Sequence, residues 1–367
     1  MTGPHLATPS GRPRARALGI PLAGTPGADN AITDVPGVTV GYTTLIEGPD
    51  VRTGVTAIHP GADPGDPCAA GFHSLNGNGE MTGLAWIAET GLQSGPICLT
   101  NTHAVGIAHA GVVRWMVEHH PRVAEAWLLP VVSETWDGYL NDINGAHVKE
   151  AHVLHALDGA APGPIEEGSV GGGTGMCCYE FKGGTGTASR TVGDHTLGVL
   201  VQANFGSRSE LTIAGVRLGD ELKDDNPLGD WVPGACREGG PVAGSIVAIV
   251  ATDAPLLPHQ CAALARRVTL GIARTGTTGS HFSGDLFLAL STGNPGAFAG
   301  QDLVTRADGQ RELRFLPWHA LDPYFEAVVQ ATEEAILNAL AANEDMTGYR
   351  GHRVPALPRD RVRAAMP

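Results

Sequence analysis

Cationic residues are in short supply in this chain of 367: 24 Lys plus Arg stand against 38 Asp plus Glu, for a net charge of -14. No basic stretch offers a face to a phosphate backbone, which argues against nucleic acid as a partner. An acidic balance suits a cationic ligand such as a substrate with a free amine, although acidic surfaces more often serve only solubility. Long apolar runs are missing too. No segment reaches the length that a bilayer demands, and Met1 to Arg16 carries prolines and arginines with no apolar core behind it. We therefore expect no membrane partner and a cytoplasmic protein. Cysteine is sparse: Cys68, Cys98, Cys177, Cys178, Cys236 and Cys261 form no CxxC and no Cys/His cluster at zinc spacing. They read as reduced thiols that pack as small apolar groups. The close histidine sets His103/His109, His119/His120 and His147/His152 lack the HExxH pattern of a zinc helix, so neither a metal nor an organic cofactor is expected.

Glycine is abundant at 51 residues, with 26 prolines, which predicts many turns and close backbone approaches. The glycines are mixed with apolar runs and show no repeat, which argues against disorder. The length allows one large domain or two ordinary ones, and we expect one compact unit. Short β-branched runs at 37–44, 96–100, 126–132, 196–203, 246–252 and 285–291 read as strands. Most are apolar at both alternating positions, as in strands covered on both faces. Helices are predicted over 102–120, 258–274 and 322–343. In the last, Phe325, Val328, Val329, Ile336, Leu337 and Leu340 recur at helical spacing behind an Asp322-Pro323 start. Doubly covered strands with helices outside imply a layered α/β architecture. Residues 219–244, rich in Asp, Lys, Pro and Gly, read as an exposed loop that delivers its last residue into the core.

At the end of that loop, Ser245 stands between Gly244 and the apolar run Ile246 to Val250. Taken locally, a glycine before a strand ends a turn. Chemically the junction offers more. Attack of the Ser245 hydroxyl on the Gly244 carbonyl would turn the peptide into an ester, and water would release a serine bearing both a hydroxyl and a free α-amine. That pair is a nucleophile with its own base, the unperturbed amine having a pKa near ~8. The stretch from Pro241 to Pro258 resembles the self-processing segment of the DmpA-type aminopeptidases, the L-aminopeptidase/D-esterase and β-peptidyl aminopeptidase group of peptidase family S58.

Other segments are similar to the same family. In Ser283-Gly-Asp285 the two polar side chains, two apart on an extended chain, point to one side and form a relay for one hydroxyl or amine. The resemblance makes them partners of the nucleophile, with aspartate where the family often has the longer glutamate; alone, Ser-Gly-Asp is a turn. Asn204, closing an apolar strand, matches the family's oxyanion asparagine, a side-chain amide able to donate to a developing oxyanion. Within 133–147, Glu134 offers a carboxylate for a substrate ammonium, which restricts a peptidase to free N-termini. Tyr139 helps hold the oxyanion or the amine, and Trp136 either lines the side-chain pocket or packs in the core. The glycine-rich run 167–178, continued by 182–190, lacks GxxxxGK[ST] because Gly183 follows Lys182. It also lacks a convincing GxGxxG with its ribose acid, and it reads as scaffold beside the active site. The runs Asn76 to Glu80 and Asn101 to His103 look family-like and border the pocket.

The resemblance spans about 14–349. It implies an α-β-β-α sandwich of the DmpA/ornithine-acetyltransferase type, two stacked mixed sheets flanked by helices, with a doubly wound parallel sheet as the alternative. It implies a self-processing serine aminopeptidase, amidase or esterase that takes small peptides, amides or esters with a free amine. Self-cleavage would give a large chain, 1–244, and a small chain, 245–367, in one folded domain, assembled as a homo-oligomer and specifically a tetramer. Two other readings stay open: an ornithine-acetyltransferase-like acyltransferase, against which serine rather than threonine at 245 argues, and an uncleaved binding protein of the same fold.

Overall fold

Apolar runs without water-seeking groups become the interior strands of this protein. The structure is a computed structural model that describes residues 3–61, 64–228, 244–298 and 311–366. The first part of the chain supplies β1 (Thr39–Glu47), β2 (Val51–His59), β3 (Cys68–Gly77), α1 (Leu84–Thr90), β4 (Leu92–Gln93) and β5 (Ile97–Asn101). Next come α2 (Val105–His119), α3 (Pro121–Ala124), β6 (Val131–Thr135), α4 (Glu150–Asp158), a short ribbon of β7 (Cys177–Cys178) and β8 (Phe181–Lys182), then β9 (Gly184–Val192) and β10 (His195–Asn204). A second ribbon, β11 (Thr212–Ile213) and β12 (Val216–Arg217), precedes β13 (Ser245–Thr252), α5 (Pro258–Arg274), β14 (Gly284–Ser291) and α6 (Asp322–Ala341). The chain closes with β15 (Met346–Thr347), β16 (Arg353–Val354) and α7 (Arg359–Ala365).

Two mixed sheets stack face to face. One has the order β1-β2-β5-β6 and the other β4-β3-β14-β13-β10-β9. Each contains one parallel pair, β5–β6 and β13–β14, and the other pairs are antiparallel. Between the sheets lie Ile58, Ile97, Leu99, Leu200, Val247, Ile249 and Leu288. On the outer face of the six-stranded sheet, Ala248, Val250 and Phe287 pack against Leu264 and Val268 of α5 and Val328 and Ile336 of α6. On the outer face of the other sheet, Ala57, Cys98 and Val132 pack against Val112 and Trp115 of α2 and Val153 of α4. The period of two along β13 sends alternate side chains into the two cores, so every residue of β13 and β14 is buried. The layers are therefore α-β-β-α, and the doubly wound parallel sheet is ruled out by the antiparallel neighbours of β13–β14. Among the described residues no helix is long and apolar enough to cross a membrane.

Several predicted elements shift. The strand expected over 126–132 begins only at Val131, because Pro130 has no N–H to give and Trp127 and Leu129 are 44% and 48% exposed. The run 102–120 divides into a 3-10 turn, Thr102–Ala104, and α2. Strands β2, β3 and β9 and helices α1 and α4 were not anticipated. In β9 the reason is chemical: Thr185, Thr187, Ser189 and Arg190 are polar yet buried. Thr187 N donates to Glu167 Oε1 at 2.9 Å, Ser189 N to Asn30 Oδ1 at 3.1 Å, and Arg190 Nη2 to Glu334 Oε2 at 2.7 Å. Distant partners make that strand buriable, and local hydropathy does not register them. Of the loop expected over 219–244, the described part buries Leu222 and Leu228, so it is not simply exposed; residues 229–243, with Cys236, lie outside the described residues. Among the described cysteines, Cys98, Cys178 and Cys261 are buried free thiols and Cys68 and Cys177 are partly buried ones.

The expected close backbone approaches occur where helices lie on sheets. A Cβ on Gly186 would overlap the Ala335 carbonyl oxygen of α6, and one on Gly71 would overlap the Ala262 amide of α5. Gly186→Ala is therefore expected to lower stability by about 1–3 kcal/mol through forced displacement of α6. Chemical denaturation checks this, and an unchanged midpoint would refute the close packing.

Candidate active site

At one end of the sandwich, the edge of the inter-sheet core becomes polar, and Ser245 is the first residue of β13 there. It pairs with Asn204 of β10 on one side and with Gly284 of β14 on the other. Its Oγ accepts a hydrogen bond from Gly284 N at 3.1 Å, and the residue is only 6% exposed. The hydroxyl is thus held by a backbone donor that belongs to the sheet, and its position follows from strand pairing.

Ser283, just before β14, and Asp285 within it do point to one side, as their spacing predicts. Ser283 Oγ donates to Asp285 Oδ1 at 2.5 Å. The same carboxylate oxygen accepts from Ile246 N at 3.2 Å, so the pair lies along the backbone that leaves Ser245. Asn76 of β3 donates to Asp285 Oδ2 at 2.8 Å and holds the other oxygen. Burial pushes the Asp285 carboxyl above its ordinary range, and these three donors pull it back. Aspartate reaches all three despite being shorter than glutamate.

Asn204 has both ends of its amide occupied. Its Oδ1 accepts from Cys177 N at 2.8 Å and its Nδ2 donates to the Trp136 carbonyl at 2.9 Å. Asn204, Trp136, Tyr139, Cys177 and Gly244 line one narrow cleft. Ser283, Asp285, Phe205, Ile272 and Gly244 line a second. Phe205, Gly206 and Gly244 are common to the Asn204 and Asp285 sides. A Cβ on Gly244 would sit 2.5 Å from Asn204 O and 2.8 Å from Phe205 Cα, so the strand entry tolerates only glycine. Tyr139 is buried, its ring stacked on His352 with centroids 4.5 Å apart and its hydroxyl 3.4 Å from Pro227 O. Burial raises its phenol to about 12, so it stays a proton donor.

Glu134 comes from the facing sheet. Its Oε1 accepts from Glu80 N at 2.9 Å and its Oε2 accepts from the Thr102 hydroxyl. A Cβ on Gly79 would lie 3.3 Å from Glu134 Oε1 and 3.1 Å from Gly284 Cα, so the carboxylate stands close to the residue that holds Ser245. It does not line either cleft at Gly244 in the intact chain. Burial raises Glu134, with the Thr102 and Glu80 hydrogen bonds opposing. The structure thus brings Ser245, Ser283, Asp285, Asn204 and Gly244 together, sets Tyr139 and Trp136 along one wall, and keeps Glu134 just beyond them. Asn76, Thr102 and Gly284 were not singled out individually. Asn76 and Thr102 lie in the two runs expected to border the pocket, and nothing local marks Gly284, whose N–H matters only through register. Among the described residues no group of three or more His, Cys, Asp or Glu could hold a metal ion.

Comparisons with known proteins bear on the family and the fold. Residues 30–354 match the sequence model of peptidase family S58. Beta-peptidyl aminopeptidase BapA of Sphingosinicella microcystinivorans is 47% identical over 372 residues, covering 96% of this chain and 92% of that protein. A Burkholderia sp. beta-aminopeptidase superposes with a TM-score of 0.86 at 47% identity, over 95% of this chain and 97% of that one. The L-aminopeptidase D-Ala-esterase/amidase of Ochrobactrum anthropi, described as a prototype serine aminopeptidase and a variant of the Ntn hydrolase fold, gives 0.88 at 45% identity, over 96% and 98%. Fold and relatives define a hydrolase acting on peptide bonds, and they do not favour the acyltransferase or the binding-protein readings. The chain belongs to peptidase family S58.

Because burial raises Glu134, the folded protein holds that proton more tightly than the unfolded chain does. Ionisation therefore costs stability, and the cost grows as pH climbs from the unfolded value through the raised one. Glu134→Gln is expected to raise the urea midpoint at pH 7 and to leave it unchanged below about pH 4. An equal change at both pH values would contradict this electrostatic account.

Proposed function

We propose that this peptidase is a self-processing serine aminopeptidase that removes N-terminal residues from short peptides, amides or esters through an acyl-enzyme on Ser245. The observation that carries the reading is the triple register Asn204, Ser245, Gly284, which seats a buried serine hydroxyl beside the end of the Asn204 strand, with the Ser283–Asp285 pair bonded to the next backbone amide, Ile246 N. In maturation, Ser245 Oγ adds to the Gly244 carbonyl, the C–N bond breaks, and the nitrogen leaves as the Ser245 α-amine after taking the hydroxyl proton. Water hydrolyses the resulting ester and frees Gly244. Residues 1–244 and 245–367 stay in one folded unit, since β3 and β10 hydrogen-bond to β14 and β13 across the cut.

In turnover the same hydroxyl attacks the carbonyl of the substrate's first residue. The freed α-amine accepts the proton and passes it to the leaving amine or alcohol, while Ser283 and Asp285 orient that amine from the Ile246 side. Asn204 and Tyr139 stabilise the oxyanion, and removal of one such donor typically costs ~10²–10³ in kcat. Glu134 pairs with the substrate ammonium, and Trp136 lines the side-chain pocket. The relatives' names span β-peptidyl, L-aminoacyl and D-alanyl chemistry, and a free amine beside the scissile carbonyl is what those substrates share. The tetrameric assembly and cytoplasmic setting expected from the sequence belong to this proposal as well.

Mass spectrometry of active protein should find two chains that meet between Gly244 and Ser245; competent material made only of unbroken chain would overturn the mechanism. Ser245→Ala should remain one inactive chain, and Gly244→Ala should mature more slowly because its Cβ meets the Asn204 backbone. Glu134→Gln should raise KM by about tenfold or more while maturing at the native rate. Equal loss of turnover and maturation would remove Glu134 from amine recognition.

A further inference from the structure

A buried cation that the proposed mechanism leaves unused lies behind the Asn204 amide. Lys182 on β8 is fully buried. Among the described residues, no carboxylate lies within ion-pair distance of its Nζ. The ammonium donates to the Met176 carbonyl at 2.8 Å and to the Gly183 carbonyl at 2.6 Å. Neither acceptor depends on it. Gly183 N also donates to Met176 O at 2.9 Å, and Asn343 Nδ2 also donates to Gly183 O at 2.9 Å. Burying an ammonium without a counter-charge is expensive, so its presence is not explained by satisfying backbone groups.

The peptide between Met176 and Cys177 links this charge to Asn204. In a trans peptide the C=O and N–H point in opposite directions. Here the carbonyl faces Lys182 Nζ, and the N–H of Cys177 donates to Asn204 Oδ1. The Asn204 Nδ2 gives one hydrogen to Trp136 O, which fixes the plane of the amide beside Gly244. We infer that Lys182 is a positioning residue, which polarises the Asn204 side-chain amide through the Met176–Cys177 peptide and so strengthens its remaining N–H toward the oxyanion. Hydrogen bonds in series polarise one another, and a preorganised dipole is worth most in a site closed to water. The neighbouring thiols do not cancel the charge: burial pushes Cys177 to about 12 and raises Cys178 further, so both stay neutral. Burial, opposed by Cys177 and Cys178 and reinforced by Arg12, lowers Lys182 to about 7, so the charge is carried below that pH and is lost above it.

This inference rests on Ser245 as nucleophile and Asn204 as oxyanion donor. Lys182→Met keeps the side-chain length and removes the charge. Below pH 7, where Lys182 carries its charge, the substitution should lower kcat about tenfold, less than loss of a direct donor, with KM within about twofold of native. The melting temperature should be equal to native or higher, where a merely structural lysine would lower it. Isotope-edited infrared spectra of the acyl-enzyme, formed with a slow ester of a free amino acid, should show the ester carbonyl moved to higher frequency in the variant. Should Lys182→Met not fold, Lys182→Gln retains a donor to Met176 O without the charge and carries the same kinetic and spectral expectations. An unmoved carbonyl with native kcat overturns the inference alone. Absence of any acyl-enzyme in the native protein overturns the Ser245 reading and this inference with it.

Discussion

Strand register is the constraint on which the site depends. Ser245 lies opposite Asn204 and Gly284 because β13 is clamped between β10 and β14 with apolar side chains on both faces. A slip of one residue would exchange the two faces, sending Val247 and Ile249 toward the helices and Ile246 and Ala248 between the sheets. The hydroxyl would turn away from Asn204 at the same time. Packing of many apolar groups thus sets the position of one polar atom, and the chemistry inherits its precision from the core.

The site works against the stability that this core supplies. Glu134, Asp285 and Lys182 are all buried, and in each the largest influence on the proton is desolvation. A fold built only for stability would replace such groups by apolar ones. Their retention at one end of the sandwich, beside glycines that leave no room for a side chain, describes a surface organised around a reaction. Gly244 unites the two demands: it must pass close to the Asn204 backbone in the intact chain, and its carbonyl is the one the adjacent hydroxyl is proposed to attack.

Legibility followed how each feature is encoded. The apolar strands around 246 and 285 and the helix Pro258–Arg274 were readable because burial on both faces and a proline start are written in consecutive residues. The peptidase family was readable from motifs of the same local kind. Strand β9 was not, since Thr187, Ser189 and Arg190 become buriable only through Glu167, Asn30 and Glu334, which are far away in sequence. Lys182 was seen only as a failed phosphate-loop lysine, because its partner carbonyl gains meaning from what the opposite side of the same peptide touches. Glu134 was chosen for its charge in the polar stretch that follows an expected strand, but its place next to Gly79 and Gly284 is a property of two sheets brought together.

By itself the sequence determined the layered α/β class, the family and the residue types available for chemistry, because those depend on local pattern and composition. Tertiary structure decided which of them meet. Asn76 on Asp285, Thr102 on Glu134 and the peptide between Lys182 and Asn204 are hydrogen bonds between segments that only the stacked sheets bring within reach. A hydrogen bond needs its two atoms about 3 Å apart, and chain order alone cannot specify that distance across a fold.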